Sequence, residues 1–133
     1  MIQIILLEDN PVEAMLFESA LADISLETNL HQVENESSIL QLLDSWQSTP
    51  SSDTYLLILD MYIGEKSGLE IYESIKGHSI REQCIVAIFT GLTDEKIIQK
   101  SYECGVNTYL DKPMDYDELV DMLHKMLLYF SQF

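Results

Sequence analysis

Apolar runs of strand length alternate along this chain with longer segments whose apolar positions recur every three or four residues. Ile2 to Leu7 is the first run and is almost wholly apolar, as a strand covered on both faces should be. Asn10-Pro11 then opens a helix, with Asn suited to the cap and Pro to the first turn. Val12, Met15, Leu16, Ala20 and Ile24 follow at helical spacing and form its predicted apolar stripe. Asn29 to Val33 is a weaker, more polar strand, suited to a sheet edge. Ser37 to Trp46 carries Ile39, Leu42, Leu43 and Trp46 on one helical face, and the Ser/Pro-rich stretch from Gln47 to Thr54 reads as a loop. Tyr55 to Leu59 is the predicted central strand, Gly64 to Ser67 a turn, and Gly68 to Gly77 a helix with Leu69, Ile71, Tyr72 and Ile75 inward. Cys84 to Phe89 is another strand, Thr93 to Cys104 a helix ended by Gly105, Val106 to Leu110 the last strand, and Asp115 to about Tyr129 the last helix.

The predicted order is βαβαβαβαβα, with no internal repeat and no linker, so residues 1–133 are expected to form a single domain. Right-handed crossovers make such an order an α/β, doubly wound parallel sheet with five helices. Ligands on such folds bind at the carboxyl ends of the strands. Four of the predicted strands end there in a polar group: Glu8-Asp9, Asp60, Thr90 and Lys112.

Three carboxylates held close, Glu8, Asp9 and Asp60, repel one another and need a cation to coexist ionised. Oxygen ligands with room for water and a phosphate oxygen describe a Mg²⁺ site. Asp60, after the apolar run Tyr-Leu-Leu-Ile-Leu, is placed to act as a carboxylate nucleophile and form an acyl phosphate. Thr90 offers a hydroxyl to a phosphoryl oxygen, Gly91 leaves space beside it, and Lys112 offers a compact positive charge. Taken singly, Asp9 also suits a helix cap, Thr90 a strand end, and Lys112 a solvated loop. Together they suit metal-assisted phosphoryl transfer onto an aspartate.

Seven basic against 23 acidic residues give a formal charge of −16, which disfavours nucleic acid and anionic lipid and favours cations or basic protein surfaces. No apolar run has the length of a spanning helix, and the start, Met-Ile-Gln-Ile-Ile-Leu-Leu-Glu-Asp, has no basic leader, so a cytoplasmic location is expected. Cys84 and Cys104 have no metal-binding or CxxC spacing and read as reduced structural thiols.

These residues resemble the receiver domain of two-component response regulators, like the small chemotaxis response regulator, from Ile2 to about Tyr129. The markers are Glu8-Asp9, Asp60, Gly68 eight residues later, Thr90 with a small neighbour, and Lys112-Pro113. The resemblance implies a flavodoxin-like sheet in 2-1-3-4-5 order and phosphotransfer to Asp60 from the phosphohistidine of a histidine kinase or phosphotransfer protein. It implies Mg²⁺ held by Glu8, Asp9, Asp60 and the backbone carbonyl of Tyr62, with Thr90 and Lys112 on the phosphoryl oxygens. It also makes Thr90 and Tyr109 the switch pair, although Tyr109 alone reads as a half-exposed strand tyrosine. Two positions depart from the family pattern: Gly64 stands where many members have proline, and Tyr62 is bulky enough to shield an acyl phosphate.

Three rivals are weighed against this reading. A haloacid-dehalogenase-like phosphatase needs a second Asp where this chain has Tyr62, and a flavodoxin-like cofactor binder needs a phosphate-cradling loop where it has Glu8-Asp9-Asn10-Pro11. A receiver-fold scaffold that signals without phosphate would not need the full set of reacting residues. With no output domain after the last helix, the chain is expected to be a stand-alone receiver or a piece of something longer, acting through a downstream protein partner. The end of that helix, Met126-Leu127-Leu128-Tyr129-Phe130-Ser-Gln-Phe133, is more apolar than one core stripe requires. Leu128, Tyr129 and Phe133 are expected to remain partly outside and to offer a partner or homodimer surface.

Overall fold

A computed structural model describes residues 1–49, 51–63, 66–91 and 94–132, the side chains of Tyr62 and Ile63 excepted. Five parallel strands form the main sheet: β1 (Ile2–Leu7), β2 (Thr28–Val33), β3 (Thr54–Asp60), β6 (Cys84–Thr90) and β7 (Thr108–Asp111). Their order is β2-β1-β3-β6-β7. With the two-residue strands β4 (Tyr62–Ile63) and β5 (Lys66–Ser67) set aside, this is the 2-1-3-4-5 order expected, and the more polar β2 lies at an edge. β4 and β5 pair antiparallel as a separate small ribbon; Gly64, and with it part of the predicted turn, lies outside the described residues.

Strand alternation sorts the core into two layers. Ile5, Leu7, Leu57, Leu59, Val86 and Ile88 point to one face of the sheet, where helices α2 (Glu36–Ser48) and α3 (Gly68–Ile75) cover them. Ile4, Leu6, Leu56, Ile58, Ala87 and Phe89 point to the other, under α1 (Pro11–Ala22) and α5 (Tyr116–Phe130). The three central strands are therefore apolar on both sides, which is why they read as unbroken runs. Helix α4 (Glu95–Glu103) is thinly held: Ser101 is its one buried residue, and Ile97 packs part-buried against the first layer. Gly105 ends it at φ 100°, the left-handed conformation a C-terminal cap requires.

The stripe expected on α1 is corrected. Ala20 is buried, as is Ile24 just past the helix end, but Val12, Met15 and Leu16 are 64%, 68% and 45% exposed. The buried side of α1 is instead Ala14, Phe17, Ala20 and Leu21. The helix is apolar nearly all round, so spacing alone does not select a face; packing against α5 and the sheet does.

A short 3₁₀ turn, Arg81–Gln83, precedes β6 and has no signal in the pattern. Arg81, the chain's one arginine, donates to Tyr72 Oη (3.0 Å), Cys84 O (2.9 Å) and Gly105 O (2.7 Å), and its guanidinium lies 5.2 Å from the Tyr72 ring centre. It thereby ties α3, the start of β6 and the end of α4 together. Both cysteines are free thiols; burial pushes Cys84 up to about 11, and Cys104, hydrogen-bonded to Glu73, is also raised.

Candidate functional site

Strand register brings the polar strand ends level. Leu7 pairs with Leu59, so Glu8 and Asp60 emerge side by side; Asp60 pairs with Phe89 and Thr90 with Asp111, which sets Thr90 and Lys112 next along the same rim. The Lys112 backbone N–H donates to Thr90 O at 2.7 Å, continuing the ladder one step past β7 before Pro113.

Glu8, Asp60 and Thr90 are all buried, at 3%, 5% and 1% exposure. Lys112 Nζ lies 2.9 Å from Asp60 Oδ2, 2.8 Å from Glu13 Oε2 and 3.5 Å from Glu8 Oε2. On its other side it stands 5.6 Å from the centre of the Phe89 ring. Carboxylate oxygens of Glu8, Glu13 and Asp60 all lie within 4.8 Å of one another.

Glu13 is the member that the sequence reading missed. Asn10 Oδ1 caps α1 by accepting from Val12 N (2.9 Å) and Glu13 N (3.2 Å), while Asn10 N donates to Glu8 Oε1 (3.0 Å). The loop is thus tied to the site at both ends, and the first turn of α1 swings Glu13 back over it. The available signal was an acidic residue in the first turn of a helix launched from the site.

Asp9 is exposed and is not one of that carboxylate trio. Tyr62 offers its backbone from β4, beside Met61, whose N–H donates to Phe89 O at 3.1 Å; the shield suggested for its side chain lies outside the described residues. Tyr109 is half-buried against the first core layer, level with Ile88 on β6. A Cβ built on exposed Gly91 would meet no atom of the other described residues within 4 Å, which leaves space among them beside Thr90.

Burial, together with the hydrogen bond it shares with Asp60, pushes Glu8 up to about 8, so a proton is held among these acids at neutral pH. Burial opposes the charge on Lys112, but its bonds to Glu13 and Asp60 outweigh that and raise it above the usual lysine range. A buried acidic set that needs both a lysine and a proton to coexist has the donor chemistry a hard divalent cation would satisfy.

The chain belongs to the response regulator receiver domain family of two-component systems: the family model matches residues 4–124. The probable methanogenesis regulatory protein FilR2 of Methanothrix harundinacea is 25% identical over 116 residues, 87% of this chain and 75% of its own length. Response regulator Rcp1 of Synechocystis is 25% identical over 123 residues, 90% of this chain and 82% of its own. The crystal structure of Rcp1 in a Mn²⁺-bound form shares the fold at a TM-score of 0.77 and 23% identity, over 97% of this chain and 94% of that one. The phosphorylated cyanobacterial phytochrome response regulator RcpA does so at 0.79 and 23%, over 96% and 92%. Among the described residues no helix is long and apolar enough to cross a membrane.

Proposed function

We propose that this chain accepts a phosphoryl group on Asp60 from a phosphohistidine, on a sensor histidine kinase or a phosphotransfer protein, with Mg²⁺ as cofactor. The observation that carries this reading is the 2.9 Å contact between Lys112 and a buried Asp60 at the carboxyl end of the central strand, in a chain of the receiver family. An Asp60 oxygen attacks phosphorus; a P–O bond forms, the P–N bond to the donor histidine breaks, and the leaving imidazole takes up a proton.

Lys112 trades its contact with Asp60 for one with a phosphoryl oxygen, and the Thr90 hydroxyl donates to another. Glu8, Asp9, Asp60 and the Tyr62 carbonyl would hold the Mg²⁺, which when bound neutralises charge on the phosphoryl oxygens. The phosphate then favours one of two arrangements of Thr90 and Tyr109, and α4, β7 and α5 follow. The chain catalyses only its own phosphorylation and dephosphorylation.

Its output, from a cytoplasmic receiver domain spanning residues 1–133, is a protein contact or onward phosphotransfer. The last helix is the proposed contact surface, for a partner or a second copy: Leu128 and Tyr129 are 44% and 59% exposed, while Leu123, Met126 and Leu127 fill the core. Phe133, grouped with them in the sequence reading, lies outside the described residues.

Intact-protein mass after incubation with acetyl phosphate tests the central step. The expected result is one phosphoryl adduct that requires Mg²⁺ and disappears in Asp60→Asn. No adduct in the parent, under conditions that preserve short-lived acyl phosphates, would overturn the proposal.

A further inference from the structure

The ammonium of Lys112 is shared. Its 2.8 Å bond to Glu13 is as short as its 2.9 Å bond to Asp60, yet Glu13 comes from a different element and its side chain is 44% exposed, against 7% for Asp60. Glu13 and Lys112 both line a recess of about 170 Å³ whose walls also include Leu16, Phe17, Phe89 and Met114. Those apolar walls weaken solvent screening on one side and strengthen the coupling of the two charges. The Asn10 cap and the Glu8–Asn10 bond hold Glu13 in this position.

We propose that Glu13 is a positioning residue that holds Lys112 between α1 and β3 and acts as an electrostatic gate, drawing the divalent cation in while opposing the anionic phosphodonor. This role rests on Asp60 being the phosphoacceptor. Before transfer, Glu13 is an additional negative charge within 4.8 Å of Glu8 and Asp60 oxygens, which favours a cation among them. During transfer the same charge repels the phosphoryl group and competes with it for the ammonium of Lys112. Release of Glu13, the more exposed partner, frees that lysine for the phosphoryl oxygen. One side chain therefore pushes cation and donor affinity in opposite directions, which a merely structural residue would not do.

Glu13→Gln keeps the shape and removes the charge; Glu18→Gln, exposed on the same helix, changes net charge equally and serves as control. With acetyl phosphate as donor and intact mass as readout, Glu13→Gln is expected to need about three to ten times more Mg²⁺ for half-maximal phosphorylation. At saturating Mg²⁺ it is expected to need about three to ten times less donor, by the size of Coulomb terms at this range. The control should move neither value more than about twofold. Parallel movement of both values, or none beyond the control, overturns the gate. NMR of the Lys112 side chain separates this from the parent reading: its ammonium signal, sharpened by hindered exchange, should be lost in Glu13→Gln. An unchanged signal overturns the anchor even if the parent takes up no phosphate, an outcome that would sink the phosphoacceptor reading instead.

Discussion

Gly68→Ala is expected to cost about 3–5 kcal/mol of stability, at the upper end of what a single methyl group can do. The reason is space, not backbone conformation. A Cβ on Gly68 would stand 2.1 Å from the carbonyl oxygen of Asp60 and 2.9 Å from its carbonyl carbon. Both are backbone atoms, so no rotamer change relieves the clash. Nor is Gly68 free to retreat, because its N–H donates to Met61 O at 2.8 Å and Ser67 Oγ caps the helix it begins by accepting from Glu70 N. Either α3 lifts from the sheet, uncovering Leu69 and Ile71, or the end of β3 moves and takes Asp60 away from Lys112. Urea unfolding and thermal melting are the checks, with a fall of roughly 10–15 °C expected. Gly77→Ala is the control, since a Cβ there meets nothing within 4 Å. Equal stability of the two variants would show that α3 is not seated on the Asp60 carbonyl.

The second large effect is on pH dependence. Glu8 has a folded-state pKa of about 8 against an ordinary 4.5, so between those values the folded chain holds a proton that the unfolded chain releases. Stability from this group is therefore fully present below about pH 4.5, declines as pH rises through the window, and is gone above about 8. His31, whose burial holds its pKa below the ordinary 6.5, contributes with the opposite sign, so the informative quantity is the difference between the parent and Glu8→Gln. The metal-free parent should lose melting temperature relative to Glu8→Gln as pH rises from 5 to 8.5. Mg²⁺ should restore the parent more at pH 8.5 than at pH 6, because the cation takes the place of the proton. Parallel melting curves across this range would mean that Glu8 is ionised in the folded protein without metal.

The fold was legible because the three inner strands are apolar on both faces and end abruptly in charged or hydroxyl groups. Those endings also pointed to Glu8, Asp60 and Thr90 as candidates, and the end of the edge strand β7 pointed to Lys112. What stayed hidden was rotation. At about 100° per residue, the arc of α1 that includes Ala14, Phe17, Ala20 and Leu21 has Glu13 within it and leaves Val12 and Met15 outside. The apolar pattern could not choose that arc, since Val12, Met15, Leu16, Phe17 and Leu21 together surround the helix. The choice is made by packing on α5 and by the Asn10 cap, neither of which has a period. The same cause hid Glu13: its part in the site depends on how the helix is turned. Arg81 was hidden differently, because its partners Tyr72, Cys84 and Gly105 come from three elements that only the folded chain brings together.

The single tryptophan has a practical meaning for anyone following this protein by light. Trp46 is packed at 4.6 Å on Tyr55 and at 5.9 Å, edge-on, to His31, with 9% of its surface exposed. Tyr55 lies near the start of the strand that Asp60 closes, so the indole sits roughly 17 Å from the polar rim, measured along β3. Its emission is expected to follow the packing on the α2 side of the sheet, and to change little when a small ion arrives at the far end. A change in that emission on phosphorylation would be optical proof that the disturbance crosses the whole sheet.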